Sequence, residues 1–336
     1  MTKDPNGRFS LAFVARAGVA LWIGALALAA FLPLQRGEPP RPPRPPPGGC
    51  QISGEGFDEI IRTHKTSDAI AAAIVARCKD KGVNVSADQP AGENWLMRNS
   101  DVLNEEVKRP GYRRMRELFI AAELQQDFAA RHVALRKILS LAETPLLRHR
   151  VQIEIAHTAL RSGEAENLTL AAAAAKAAHG EAQFLPKQAR ADAYLVDAEL
   201  ALRAGELRKS IDLVDRALEH DAAYLAAHLL RLDLVVRISA RQDEAVKARY
   251  LDWGIASASF VRLLTTKSYV VDARSAIAEH HAQSDVGALL TFYLSSLADD
   301  REGARRAIAE LLAQCAGARV CSAAVIERAR RLMNAL

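Results

Sequence analysis

Four cysteines carry the most reactive side chains of this chain, and their spacing limits what they can do. Cys50, Cys78, Cys315 and Cys321 include no CxxC pair, and no histidine stands at zinc-ligand spacing beside them. A structural zinc site is therefore not expected. The even count and the two-by-two clustering point to local disulfides, Cys50–Cys78 and Cys315–Cys321. Two other pairings are formally open, and four reduced core thiols are the plain alternative. Disulfides persist outside the cytosol. GxSxG, HExxH, P-loop and dinucleotide-binding glycine fingerprints do not occur, nor does a CxxCH that would attach a haem. His280 and His281 have no ligand partners at usable spacing and read as surface. No catalytic residue, metal or cofactor is expected. The sequons at Asn84 and Asn167 matter only in a eukaryotic secretory route.

The elements that would hold such residues are helical. Hydrophobic residues make up 50% of the 336, so a sizeable core can be buried. Aromatics are only 5%, while Ala, Leu and Arg dominate, and these favour helix. The formal charge is +5. Most of it lies in residues 1–48, where Lys3, Arg8, Arg16, Arg36, Arg41 and Arg44 face only Asp4 and Glu38. The rest is almost balanced, unlike a nucleic-acid-binding domain with a basic face, so no nucleic-acid partner is expected.

After a short arm at 1–16, residues 17–34 read AGVALWIGALALAAFLPL, 18 residues without a charge. As a helix they span about 27 Å, the thickness of the hydrocarbon layer. A cleaved signal peptide could end at Ala27, Leu28 and Ala29, but Phe31 to Leu34 continue the apolar run, which fits an uncleaved anchor. Cys50 lies too far beyond this run for a lipoprotein. Residues 35–49 form a linker that includes EPPRPPRPPPGG at 38–49, a polyproline II spacer or, alternatively, a PxxP ligand. A short arm before the span implies a translocated domain. The Ala- and Arg-rich composition points to a bacterium, and so to a single-pass inner-membrane protein with its domain in the periplasm.

From about residue 100 onward, apolar residues recur at helical spacing, as at Leu195, Ala198 and Leu202. The breaks fall at Glu143, Thr144 and Pro145; at Ser162, Gly163 and Glu164; at Ala204, Gly205 and Glu206; and at Ala298, Asp299 and Asp300. Short breaks between such segments predict antiparallel helical hairpins. Residues 191–222 resemble the tetratricopeptide repeat. Tyr194 stands at the large aromatic position, Ala198 and Ala201 at the small positions, Gly205 in the turn, and Ser210, Val214 and Ala217 along the second helix. Ala222 replaces the usual proline. The spacing also fits one unit earlier, at Ala156, Ala159, Gly163, Leu168, Ala172, Ala175 and Gly180. A looser unit follows at Leu232, Val235, Ser239, Glu244, Ala248 and Leu251, and 284–314 reads as another hairpin. Gly163 and Gly205 are 42 residues apart, whereas the family repeat is about 34; the excess lies in 181–188.

The resemblance covers 112–314 by architecture and about a third of that by motif. It implies an all-α, TPR-like α-solenoid over 111–336. Helices are expected over 57–62 and 67–79, in a 50–110 module that caps the first repeat and is stapled by Cys50–Cys78. Residues 323–336 would cover the other edge, fixed by Cys315–Cys321. The family's groove positions fall at Arg161, Arg203 and Arg237, and at His157, Glu199 and Asp233. An arginine ladder would take carboxylates, so an acidic or C-terminal peptide segment is the implied ligand. The plain alternative is that each arginine complements the dipole in the last turn of its helix. The expected function is a membrane-anchored scaffold or chaperone-like adaptor for an envelope assembly, with a client protein as partner. A repeat-rich cell-wall enzyme related to lytic transglycosylases is the alternative.

Overall fold

Alanine and leucine build helices, and every regular element among the described residues is an α-helix. The computed structural model describes residues 52, 54–80, 117, 128–240, 242–265, 270, 271, 273–275, 277, 284–317, 321 and 323–335. All of them belong to one compact unit, Arg44–Leu336. The apolar 17–34 segment, the 35–49 linker, Cys50 and His280–His281 lie outside the described residues. No described helix is long and apolar enough to cross a membrane.

The helices are α1 (Gly54–Thr63), α2 (Ser67–Asp80), α3 (Phe128–Leu141), α4 (Pro145–Ser162), α5 (Ala165–Ala182), α6 (Ala189–Arg203), α7 (Leu207–His220), α8 (Leu225–Ser239), α9 (Glu244–Leu264), α10 (Asp285–Leu297), α11 (Arg301–Ala316) and α12 (Ala323–Ala335). Their ends have local causes. Thr144 accepts from the Leu147 N–H and Pro145 follows at the first helical position, so α4 starts there. Asp243, Ser284 and Asp300 cap α9, α10 and α11 in the same way. Gly163 and Gly205 end α4 and α6 with φ of 75° and 76°, a left-handed turn that only glycine enters without cost.

From α3 onward each helix packs mainly on its neighbours in sequence, and the pairs α4–α5, α6–α7, α8–α9 and α10–α11 make the most extensive contacts. Small side chains allow the close approach. Ala156 and Ala159 of α4 and Ala171, Ala174, Ala175 and Ala178 of α5 are all buried. The expected small position Ala172 is exposed, because the helical phase of α5 turns Ala171 inward instead. Between α6 and α7, the buried Ser210 hydroxyl donates to the Ala198 carbonyl at 2.7 Å. Between α9 and α10, a methyl group added at Gly254 would come within 2.6 Å of Leu290 Cδ1.

Contrary to the expectation that the 50–110 module caps the first repeat, the N-terminal helices do not cover it. They pack on the other end of the array: α1 touches α9 and α12, and α2 touches α9 and α10. Phe57, Ile60, Ile61, Ile70 and Ile74 enter the same core as Leu232, Trp253, Leu290, Tyr293 and Leu332. The first hairpin is covered by α3 instead, through Leu135 and Ile138. Polar contacts fix the placement. Arg328 donates to the Tyr293 hydroxyl at 2.7 Å, and its Nε lies 3.0 Å from Asp58. Tyr293 donates to Asp58. Gly54 N–H donates to Asp252 at 2.7 Å, and Arg262 donates to both Ser67 and Asp68 at 2.6 Å. Asp299, at φ 63° in the α10–α11 turn, accepts the Ser67 N–H.

Cys315 and Cys321 form a disulfide, Cα–Cα 5.3 Å, which ties the end of α11 to the start of α12. Cys78 is disulfide-bonded and buried.

Three glycines give three different expected outcomes in urea melts. Gly205→Ala costs about 1 kcal/mol, because φ is positive there. Gly180→Ala, in open space on α5, gains about 0.5–1 kcal/mol. Gly254→Val forces the buried Leu290 aside and costs about 1–3 kcal/mol.

Candidate functional site

The expected groove positions lie on the first helices of successive hairpins, and the structure joins some of them. His157 of α4 meets Glu199 of α6 at 3.8 Å, an ion-pair distance between two hairpins. Burial lowers the tendency of His157 to hold a proton, but the carboxylates of Glu199, Glu154 and Asp192 outweigh it, and its pKa is raised. Asp233 pairs with Arg237 at 2.7 Å within α8. Arg161 and Arg203 are exposed and carry no ion pair among the described residues. Each of the three arginines does sit in the last turn of its helix, where a cation complements the macrodipole.

The face also carries acids and bases from neighbouring helices. Arg150 holds Glu154 at 3.0 Å, and Arg131 of α3 lies 3.7 Å from the same carboxylate. The result is a charged surface spanning α3, α4 and α6. Its charges are largely matched.

Arg237 also lines an open cleft of about 490 Å³ between two hairpin turns. Gly205, Glu206, Leu207, Arg208 and Lys209 form one wall; Arg237, Ile238 and Gln242 form the other. Lys209 bridges Glu206 at 2.8 Å. Arg208 is exposed and carries no ion pair among the described residues. Glu206 offsets Lys209 and Asp233 offsets Arg237, so the positive charge of the cleft rests on Arg208.

Beneath these surfaces lie polar groups that periodicity alone did not single out. Arg231 of α8 is fully buried; its guanidinium lies 4.4 Å over the Trp253 ring and 3.2 Å from Asp215. Burial pushes the Asp215 carboxyl up to about 6 against the attraction of Arg231, and burial also lowers Arg231. His228 donates Nε2–H to the Ala222 carbonyl at 2.9 Å and stacks on Phe260 at 4.7 Å. Its Nδ1 then accepts from Ser257 at 3.3 Å. Burial holds its pKa at about 3, so the ring stays neutral. Tyr194 is sandwiched between His179 and His220, at 4.8 and 5.3 Å.

Arg231 had a legible signal, a charge inside the apolar stretch LLRLDLVV. Arg208 and Lys209 had none, since their role depends on the next hairpin turn. Among the described residues no group of three or more His, Cys, Asp or Glu stands in metal-binding geometry. The fold defines the class, an all-helical protein of stacked hairpins. No family model, curated protein or solved structure matches the chain.

The buried pair makes a stability prediction. A carboxyl raised from 3.8 to about 6 contributes stability below its unfolded value that is lost as pH rises through the folded one. Wild-type stability should therefore fall between about pH 4 and pH 6 on this account. Arg231→Met removes the attraction that opposes burial and should shift that loss above pH 6. Replacing both partners, Arg231→Met with Asp215→Leu, should abolish it and leave stability equal or higher by about 1–4 kcal/mol. Urea midpoints measured across pH check all three.

Proposed function

We propose that this chain is a membrane-tethered interaction scaffold whose helical hairpins form a TPR-like α-solenoid that holds an acidic segment of a client protein. The positive cleft between the α6–α7 and α8–α9 turns carries the reading, because it is open, large enough for several side chains, and lined by Arg208, Lys209 and Arg237. Guanidinium groups favour carboxylates in bidentate geometry. The cleft thus refines the groove expected from Arg161, Arg203 and Arg237: only Arg237 belongs to it.

Three further features support the placement. The 18-residue uncharged run at 17–34 is long enough for a membrane anchor. The proline-rich 38–49 stretch suits a stiff spacer between anchor and domain. The Cys315–Cys321 disulfide favours a compartment outside the cytosol, and hence a periplasmic domain. The stacked hairpins suit an adaptor for an envelope assembly, since an array offers extended surface rather than one deep cavity.

Crosslinking in native membranes followed by mass spectrometry identifies the client. Arg208→Glu with Lys209→Glu should then reduce recovery of that client by about tenfold, the effect of roughly 1.4 kcal/mol. Arg161→Ala with Arg203→Ala should reduce it little. Unchanged recovery in the first variant removes the cleft from the proposal. Muramidase activity in the purified full chain would replace the scaffold reading with that of a cell-wall enzyme.

A further inference from the structure

His149 is completely buried and sits where two hairpins meet. Its Nδ1 lies 3.0 Å from the Ala178 carbonyl of α5. A carbonyl can only accept, so Nδ1 must carry a hydrogen. In the neutral ring Nε2 is then a bare lone pair. That atom faces Asp192 Oδ2 of α6 at 3.6 Å, and both atoms are buried without a hydrogen-bond partner. Two acceptors held face to face repel. The contact becomes attractive when one proton sits between them, on the imidazole as an imidazolium–carboxylate pair or on the carboxyl as a donor to Nε2.

We propose that His149 and Asp192 share one proton that clasps α4, α5 and α6 together, and that this part of the array loosens when the proton leaves. Tyr224, at the entrance to α8, lies against the same carboxylate: burial, then the charge of Asp192, raises its pKa well above the usual range. The clasp thus touches three successive hairpins. It lies below the surface that carries His157 and Glu199, so its loosening would also change the spacing of those two residues.

The charged groups around the pair come from every neighbouring element. Arg150, Glu154 and His157 lie on α4, and Arg131 of α3 reaches Glu154. From α5, Glu181 is bound by Arg148 at 2.8 Å. Glu199 lies on α6, and Tyr224 precedes α8. His157 also favours the folded state at low pH, since its own pKa is raised, so the test must separate the two histidines. Asp192→Asn replaces the shared proton with an amide that donates to Nε2 at unchanged shape; because Asp192 also raises His157, a His157→Gln background separates the two.

The test uses the full chain in detergent micelles. Thermal midpoints of wild type and Asp192→Asn are compared between pH 6 and pH 9, each also in a His157→Gln background. Wild type should lose roughly 2–4 °C more than Asp192→Asn over this range, with or without His157. Equal slopes in the two proteins overturn the proposal. Hydrogen exchange of wild type alone, corrected for intrinsic rates, gives an independent answer should the variant not fold. Protection over 145–203 should fall with pH while protection over 285–316 holds; a uniform change over both overturns it.

Discussion

Two helices can pack only as closely as the side chains between them allow, and this chain meets that constraint with alanine, serine and glycine. Ala171, Ala174, Ala175 and Ala178 form one face of α5, and Ala156 and Ala159 the facing part of α4. Ser210 bonds to the backbone of α6, a contact that a larger side chain would prevent. Helices that approach to about 8–10 Å expose few voids. An array with only 5% aromatic residues has few large side chains with which to fill wider gaps. Close pairing is therefore what allows so alanine-rich a chain to have a core.

Stacked hairpins leave an apolar edge at each end of the array, and the two ends are closed differently. At the first hairpin α3 supplies Leu135 and Ile138. At the other end α1 and α2 return across 194 to 270 residues of sequence to cover α9, α10 and α12. Apolar contact drives this return, and the Asp58–Tyr293–Arg328 cluster directs it. Arg328 reaches both Asp58 and the Tyr293 hydroxyl, so each polar group entering the core finds a partner as the ends meet. The same logic explains Asp299. Its equivalents in two other turns are glycines. The aspartate accepts a left-handed backbone because its carboxylate caps α2 through Ser67.

Buried charge is concentrated between hairpins rather than within them. Arg231 reaches from α8 to Asp215 on α7, and His149 from α4 to Asp192 on α6. Such pairs contribute little net stability, because desolvation offsets most of the attraction. They do penalise any sliding of one hairpin on the next, since displacement would strand a buried charge. Apolar alanine faces, by contrast, tolerate sliding. The polar pairs thus hold a register that the alanine contacts leave loose, and that register keeps Arg237 facing Arg208 across the cleft.

The sequence alone determined the helical class and the places where helices stop. Composition, the glycines at 163 and 205, and the capping residues Thr144 and Asp300 act within a few residues, so their effect is legible in a short window. The neighbouring pair Cys315–Cys321 was legible for the same reason. Of the groove positions, the sequence placed His157 and Glu199 on corresponding turns of two helices, which contact then joined. Tertiary structure decided the rest. Ala171 rather than Ala172 faces inward because helix phase is settled by the partner surface. The cleft at Arg208 and Arg237 exists only where two turns stand side by side. The N-terminal helices cover the far end because burial rewards any matching apolar edge, however distant along the chain, and no local pattern records which edge that is.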